Sequence, residues 1–449
     1  MEPVLMIYRY LLSMILILGC CPGQSQNASF QYDFGEGAAP SGFIKVTPDH
    51  KYTVESGFGF DYNSVVYAKK SGKQNKVQDD YITSSRPFYF SQRLPEGNYN
   101  VKVILGDAAG TSVTTIKVEC RRLMVEKAVT DYGKFITKEF TVHVKDSLIR
   151  NPVAAKVRLK PRELNYLHWD DKLTIEFNNT GAKVCAVEIS PVLNVPVIFL
   201  AGNSTVVDQA EEPWAAWGQM FPAFLQPGKV CVANYAESGE TLKAFKGEKR
   251  LEKIWSMAKP GDYLFIEFTH NDQKPGSSHL DAFTTYKETL REWIAEARKR
   301  NVTPVLVTSM HRRSFDTATG KIRNTLEDFP EAMRQTGKEE KVTVLDLNAM
   351  SKILYEAWGP EKSVKAFVHY PANTFPNQPK ALADDTHFNS YGAYELAKCV
   401  VQAIRESSLP LKKYINTNFG VYDASKPGAV ESFHIPASGF VATVKPDGN

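Results

Sequence analysis

The chain predicts two folding units in series: an all-β sandwich over residues 26–190, then a three-layer α/β/α unit built on a parallel sheet over residues 191–410, with a turn-rich tail over 411–449. Three observations carry this. At 449 residues the chain is too long for one ordinary domain. Its first half is short strand-like runs broken by turn residues, with no strong helical period. Beyond residue 196, apolar β-branched runs alternate with helical patterns, which is how a sheet covered on both faces reads.

In the first unit, Tyr99, Val101, Val103 and Leu105 follow the turn signal Pro95-Glu96-Gly97-Asn98 and alternate with Asn100, Lys102 and Ile104. Leu173, Ile175 and Phe177 alternate up to Asn178-Asn179-Thr180-Gly181, and residues 184–189 return, so this pair reads as a hairpin. Repeated short strands of this kind suit a sandwich. Residues 190–196, with Pro191 and Pro196, read as the linker.

In the second unit, the apolar runs 197–201, 230–235, 263–268, 304–308 and 342–347 predict five buried strands. Phe283, Tyr286, Leu290, Trp293, Ile294 and Ala297 recur at helical spacing between the third and fourth. Parallel strands place their carboxyl ends on one rim, where open α/β sheets bind ligands.

Composition narrows the partners. Fifty-four basic residues against 50 acidic ones, interspersed, leave a formal charge of +4 and imply neither a nucleic-acid nor a polybasic membrane partner. Residues 1–25 read as an export signal: Arg9 precedes an apolar stretch too short to span a bilayer. Ile17-Leu18-Gly19-Cys20 resembles a bacterial lipoprotein box that would leave Cys20 lipidated and attached to the outer membrane, and cleavage after Ser25 competes with it. The implied location is the periplasm or the cell surface. Cys231 and Cys399 read as core thiols, whereas Cys120 and Cys185 could pair in an oxidising compartment. No Cys-x-x-Cys spacing suggests zinc.

Chemistry concentrates at the predicted rim. Ser204 stands where the run 197–201 breaks into Gly202-Asn203-Ser204, at the expected start of a helix, so its hydroxyl would face the crevice. A helix cap is the plain alternative. Gly239, Asn271 and the block Asp384-Asp385-Thr386-His387 follow in order. Ester hydrolysis needs a nucleophile, a base, a group that orients the base and donors for an oxyanion, and this set offers one candidate for each. Turn roles for Gly239 and Asn271 and a surface role for His387 are the plain competitors. His270, Asp272, Asp384 and His387 as metal ligands would leave Ser204 and Gly239 without a role, so neither metal nor cofactor is expected.

Ser204, Gly239, Asn271 and His387, in the settings FLAGNSTV, THNDQ and DDTHFNSYGA, resemble the SGNH (GDSL-type) hydrolases, and within them the rhamnogalacturonan acetylesterases. Residues 42–46 and 57–61 resemble a galactose-binding-like module. The resemblance implies a flavodoxin-like SGNH domain, with Ser204 as nucleophile, His387 as base and Asp384 as orienter. The Ser204 and Gly239 N–H groups and the Asn271 amide would form the oxyanion hole. It implies acetylated pectic polysaccharide or oligosaccharide as substrate. Asn203 departs from the family's Asp before the nucleophile, and it keeps open a glycan-binding surface protein with an inactive esterase domain. A general lipase-like or thioesterase-like hydrolase is the other alternative. His311, Arg312 and Arg313 follow the fourth strand and could contact an acidic sugar, or serve as a cap or solvated loop. Trp214 and Trp217 read as core in preference to a sugar platform.

Overall fold

The computed structural model describes residues 28–72, 75–151 and 154–447, so residues 1–25, read above as an export signal, and Cys20 lie outside the described residues. The first unit is a two-sheet sandwich. One sheet runs Phe135–Val144, Gly97–Gly106, Lys183–Pro191, Phe30–Phe34 and Ile44–Val46, with Asp80–Thr83 and Tyr67–Lys70 added at its side; the other runs Phe58–Asp61, Phe88–Arg93, Lys172–Asn178, Ser112–Val118 and Arg122–Thr130. Between them Phe34, Phe60, Phe90 and Phe177 interlock as edge-on and tilted rings, so these aromatics at strand spacing are core.

The expected hairpin at 178–181 is not formed. Lys172–Asn178 pairs with Phe88–Arg93 and Ser112–Val118, while Lys183–Pro191 pairs with Phe30–Phe34 and Gly97–Gly106 in the opposite sheet. Phe177 and Val184 are both fully buried in the shared core, so the two strands face each other across the sandwich instead of lying side by side. Alternation specifies which face of a strand is buried and says nothing of its neighbour. Cys120 and Cys185 do not pair either: with Cys231 and Cys399 they are free, buried thiols.

In the second unit, five parallel strands lie in the order Cys231–Asn234, Val197–Gly202, Tyr263–Glu267, Thr303–Val307 and Thr343–Leu345. Alternate residues of Val197–Gly202 enter two different cores: Ile198 and Leu200 meet the helices Leu347–Lys362 and Ser390–Glu406, and Phe199 and Ala201 meet Arg250–Met257 and Lys287–Lys299. That two-sided burial is why the strand reads as a continuous apolar run.

The two units share a polar seam in which Arg122 donates from Nε and Nη2 to Asp208. Past residue 410 the chain packs Ile415, Phe419 and Tyr422 on the hydrolase core, then crosses to the sandwich. There Ser438 donates to Glu176, and Phe440 meets the rings of Tyr62 and Tyr89. Residues 440–442 pair with Glu212, which leads the end of the chain past the rim of the parallel sheet.

Candidate active site

Ser204 sits two residues beyond the strand Val197–Gly202, in a turn closed by Val206 and Val207 N–H groups on the Asn203 carbonyl. The expected helix does not begin there. The chain stays in turns until Trp217–Met220, so Ser204 caps no helix. Asn203 shapes the turn by accepting from Thr205 N (3.0 Å) and Thr205 Oγ1 (2.9 Å).

Asp384 and His387 lie on the strand Leu382–Phe388, which pairs with Phe367–Tyr370, and not on an open loop. Positions three apart on a regular strand would face opposite ways. Here the pairing skips from Asp384 to Phe388, and Asp384 Oδ1 accepts from the Thr386 and His387 N–H groups, which folds the intervening residues back. Asp384 Oδ2 then meets His387 Nδ1 at 2.8 Å, and His387 Nε2 meets Ser204 Oγ at 2.9 Å. Burial opposes charge on Asp384, yet hydrogen bonds from His387 and two backbone N–H groups hold its carboxyl well below the usual range. Asp385, the neighbouring carboxylate, turns away to Arg313 and His369.

Gly239 follows Cys231–Asn234 in a turn at φ +82°, a left-handed conformation that glycine adopts without strain. The turn is tied to the strand Val197–Gly202, which leads to Ser204, by Glu237 N–H on the Gly202 carbonyl. Asn271, just past Tyr263–Glu267, donates Nδ2 to the Glu240 carbonyl (3.1 Å) and accepts on Oδ1 from Lys274 Nζ (3.1 Å). The Lys274 contact fixes which end of the amide is the donor. Burial, then Arg312 and Lys445, depress the Lys274 ammonium to about 8. The structure thus brings Ser204, His387 and Asp384 together, while Gly239 and Asn271 stand on two separate turns joined by the Asn271–Glu240 bond, the first of them tied to the end of the strand that precedes Ser204.

Arg312 and Arg313 are hydrogen-bonded within the protein, and His311 is buried. His311 is buried, its backbone N–H on Ser351; Arg312 donates to the Thr325 and His270 carbonyls; and Arg313 is held by Asp385, Ser363 and the Pro360 carbonyl. Rim position was legible, whereas the inward turn of these side chains was not. Trp217 is core and donates to Glu267. Trp214 is buried too, but its ring stands edge-on to His387 at 5.7 Å. Asp272 accepts from the Leu242 N–H at the start of the helix Leu242–Gly247, a structural use.

A cleft of about 380 Å³ opens beside this set, lined by Trp214 and Ser238 of the hydrolase unit, Arg162 and Tyr166 of the preceding segment, and Lys445 and Asp447 of the tail. No motif marked these last four in the sequence. Lys445 Nζ lies 3.5 Å from Asp384 Oδ2.

Residues 200–393 match the GDSL-like Lipase/Acylhydrolase family, and residues 30–146 match the beta-agarase/YXIM esterase-like, galactose-binding domain-like family. A rhamnogalacturonan acetylesterase of Bacillus subtilis is 43% identical over 225 residues, spanning 50% of this chain and 95% of that protein. The uncharacterized esterase YxiM of the same organism is 25% identical over 408 residues, spanning 88% of this chain and 97% of that protein. A crystal structure of YxiM overlays with a TM-score of 0.45 at 23% identity, covering 85% of this chain and 99% of that one. The chain belongs to the GDSL-like lipase/acylhydrolase family of carboxylic ester hydrolases, with a galactose-binding-like domain ahead of its hydrolase domain.

Proposed function

We propose that this hydrolase is an exported carbohydrate acetylesterase that removes acetyl groups from pectic rhamnogalacturonan by Ser204–His387–Asp384 catalysis. The observation that carries the reading is the unbroken chain Asp384 Oδ2 to His387 Nδ1 to Ser204 Oγ, at 2.8 and 2.9 Å. In this reading Ser204 Oγ attacks the acetyl carbonyl as its proton passes to His387 Nε2. Asp384, kept ionised, holds the imidazole in the tautomer that can accept and then stabilises the imidazolium. The Ser204 and Gly239 N–H groups and Asn271 Nδ2 receive the oxyanion. His387 returns the proton to the departing sugar oxygen, and a water, deprotonated by His387, releases acetate and regenerates Ser204.

The pectic substrate rests on the likeness to the Bacillus subtilis acetylesterase, and export rests on the character of residues 1–25. Since His311 is buried and Arg312 and Arg313 are hydrogen-bonded within the protein, we assign the contact with a uronate carboxylate to Lys445, a cleft cation whose side chain remains about half exposed. An ester panel tests the reading. Acetyl esters should turn over faster than butyryl or octanoyl esters, and acetylated rhamnogalacturonan should release acetate faster than acetylated xylan. Faster turnover of the long acyl chains would overturn the acetylesterase assignment, and equal rates on the two polymers would remove the pectic one.

A further inference from the structure

The domain ahead of the hydrolase also reaches into its oxyanion turn. Lys160 and Arg162 stand at the start of a short 3-10 turn, Pro161–Asn165, which the chain forms between the sandwich strands Phe135–Val144 and Lys172–Asn178. Lys160 Nζ donates to the Ser238 carbonyl at 2.5 Å, and Arg162 Nη2 donates to the same oxygen at 2.9 Å. Both cations also hold the acids that flank this peptide. Lys160 pairs with Glu240 at 2.5 Å, and Arg162 grips Glu237 through Nη2 at 2.8 Å and Nε at 3.1 Å. Glu237, Ser238 and Glu240 are all buried. Arg250, itself fully buried, closes the network by joining Glu163 to Glu240.

The carbonyl that receives two cations belongs to the same peptide unit as the Gly239 N–H. A trans peptide is planar, with C=O and N–H pointing in opposite directions. Fixing the oxygen therefore fixes the line along which the Gly239 hydrogen points, away from the two cations. Positive charge at the oxygen also draws electron density from the nitrogen, which makes the N–H a stronger donor. A preorganised donor aimed at the developing charge is where electrostatic catalysis gains most. Buried ion pairs of this kind add little net stability over apolar residues of the same volume, so stability alone is a poor account of three cations and three acids gathered on one turn.

We propose that Lys160 and Arg162 are positioning residues for ester hydrolysis, orienting and polarising the Ser238–Gly239 peptide so that its N–H can serve the oxyanion. This rests on the reading of Ser204 as nucleophile and Gly239 as an oxyanion donor. The galactose-binding-like domain is then linked to a segment that completes the catalytic machinery as well as being a candidate sugar-binding module.

The test uses the full chain with a small neutral acetate ester, so that contacts to a polymer do not enter. Arg162→Met and Lys160→Met should each lower kcat by about ten- to a hundredfold with KM within about twofold, short of the 10²–10³ that losing a donor outright costs. The affinity for an alkylboronic acid, whose tetrahedral adduct uses the same donors, should fall by the same factor as kcat/KM. Arg162→Lys should recover most of the rate. If Lys160→Met does not fold because Glu240 loses the nearer of its two cations, the double variant Lys160→Met/Glu240→Gln removes both charges and should show the same loss of kcat. Folded variants with wild-type kcat, or a loss carried by KM alone, would overturn the proposal. Ser204→Ala in the same assay separates the two levels: activity retained there sinks the underlying reading. A silent Ser204→Ala beside fully active Lys160 and Arg162 variants sinks only this inference.

Discussion

Arg122, on a sandwich strand, and Asp208, four residues past Ser204, form a two-pronged ion pair at 2.7 and 2.9 Å, with both side chains about 1% exposed. Asn234 Nδ2 caps the other Asp208 oxygen at 2.8 Å, and Arg122 Nη1 also reaches the His143 carbonyl at 3.3 Å. Removing one partner of such a buried pair leaves a lone charge in the interior, which costs about 3–5 kcal/mol. Arg122→Met should therefore lower unfolding free energy by about that amount. Calorimetry of the wild type should show one transition for both domains, since the pair lies on their seam. Two well-separated transitions, with Arg122→Met neutral, would show that the seam does not couple them.

Glu267 makes stability depend on pH. It lies at the end of the strand Tyr263–Glu267 beneath the Ser204 turn, and burial raises it to about 7 despite hydrogen bonds from Trp217, Ser309 and Thr205. An acid whose folded pKa lies above its unfolded value favours the folded state fully below the unfolded pKa. That advantage is lost as pH rises from 4.5 to about 7. The fully buried group is worth on the order of 3 kcal/mol over that window. Glu267→Gln, neutral throughout, should flatten the urea-measured stability profile between pH 5 and 8. An unchanged slope would assign it to other buried acids.

Asn203→Asp tests the residue before Ser204. Asn203 Oδ1 already makes the two turn-shaping bonds to Thr205, and an Asp oxygen can accept both. The Asn203 Nδ2 atom is buried without a hydrogen-bond partner, so no bond is lost when it is replaced. Acetate release should stay within about tenfold of wild type, a barrier change of roughly 1.4 kcal/mol. A gain of several orders of magnitude would instead mean that Asn203 has disabled the site.

Lys445→Gln addresses substrate charge. The Nζ lies over the cleft and 3.5 Å from Asp384, so its loss should raise KM for acetylated rhamnogalacturonan by more than it raises KM for a neutral acetate ester. The difference should shrink in high salt, because a half-exposed charge is screened. Equal changes on both substrates would leave Lys445 without a role in reading the polymer.

What was legible in the chain follows from what each signal measures. The five parallel strands read directly because both faces of Val197–Gly202 and its neighbours are buried, which forces unbroken apolar runs. Ser204, Gly239, Asn271 and His387 read as a set through the resemblance of their four ordered blocks to the SGNH pattern. Alternation at Leu173, Ile175 and Phe177 marked a buried face but could not say that the next strand lay across the core. Lys160, Arg162 and Lys445 carry no motif. Their contacts join segments far apart in sequence, and a lysine in a loop looks the same whether it is solvated or holds a buried peptide carbonyl. The backfold that joins Asp384 to His387 was equally hidden, since it depends on a pairing irregularity against Phe367–Tyr370.

Covalent trapping tests the central claim most directly. A small alkyl fluorophosphonate reacts with a serine only when a base removes its proton and donors receive the phosphoryl oxygen, so it reports the assembled site. Intact-mass measurement and peptide mapping should find one equivalent on Ser204, a reaction slowed by orders of magnitude in His387→Ala, and none on Ser204→Ala, which should also release no acetate while melting close to wild type. Labelling at another residue, or a Ser204→Ala protein that keeps releasing acetate, would contradict the account.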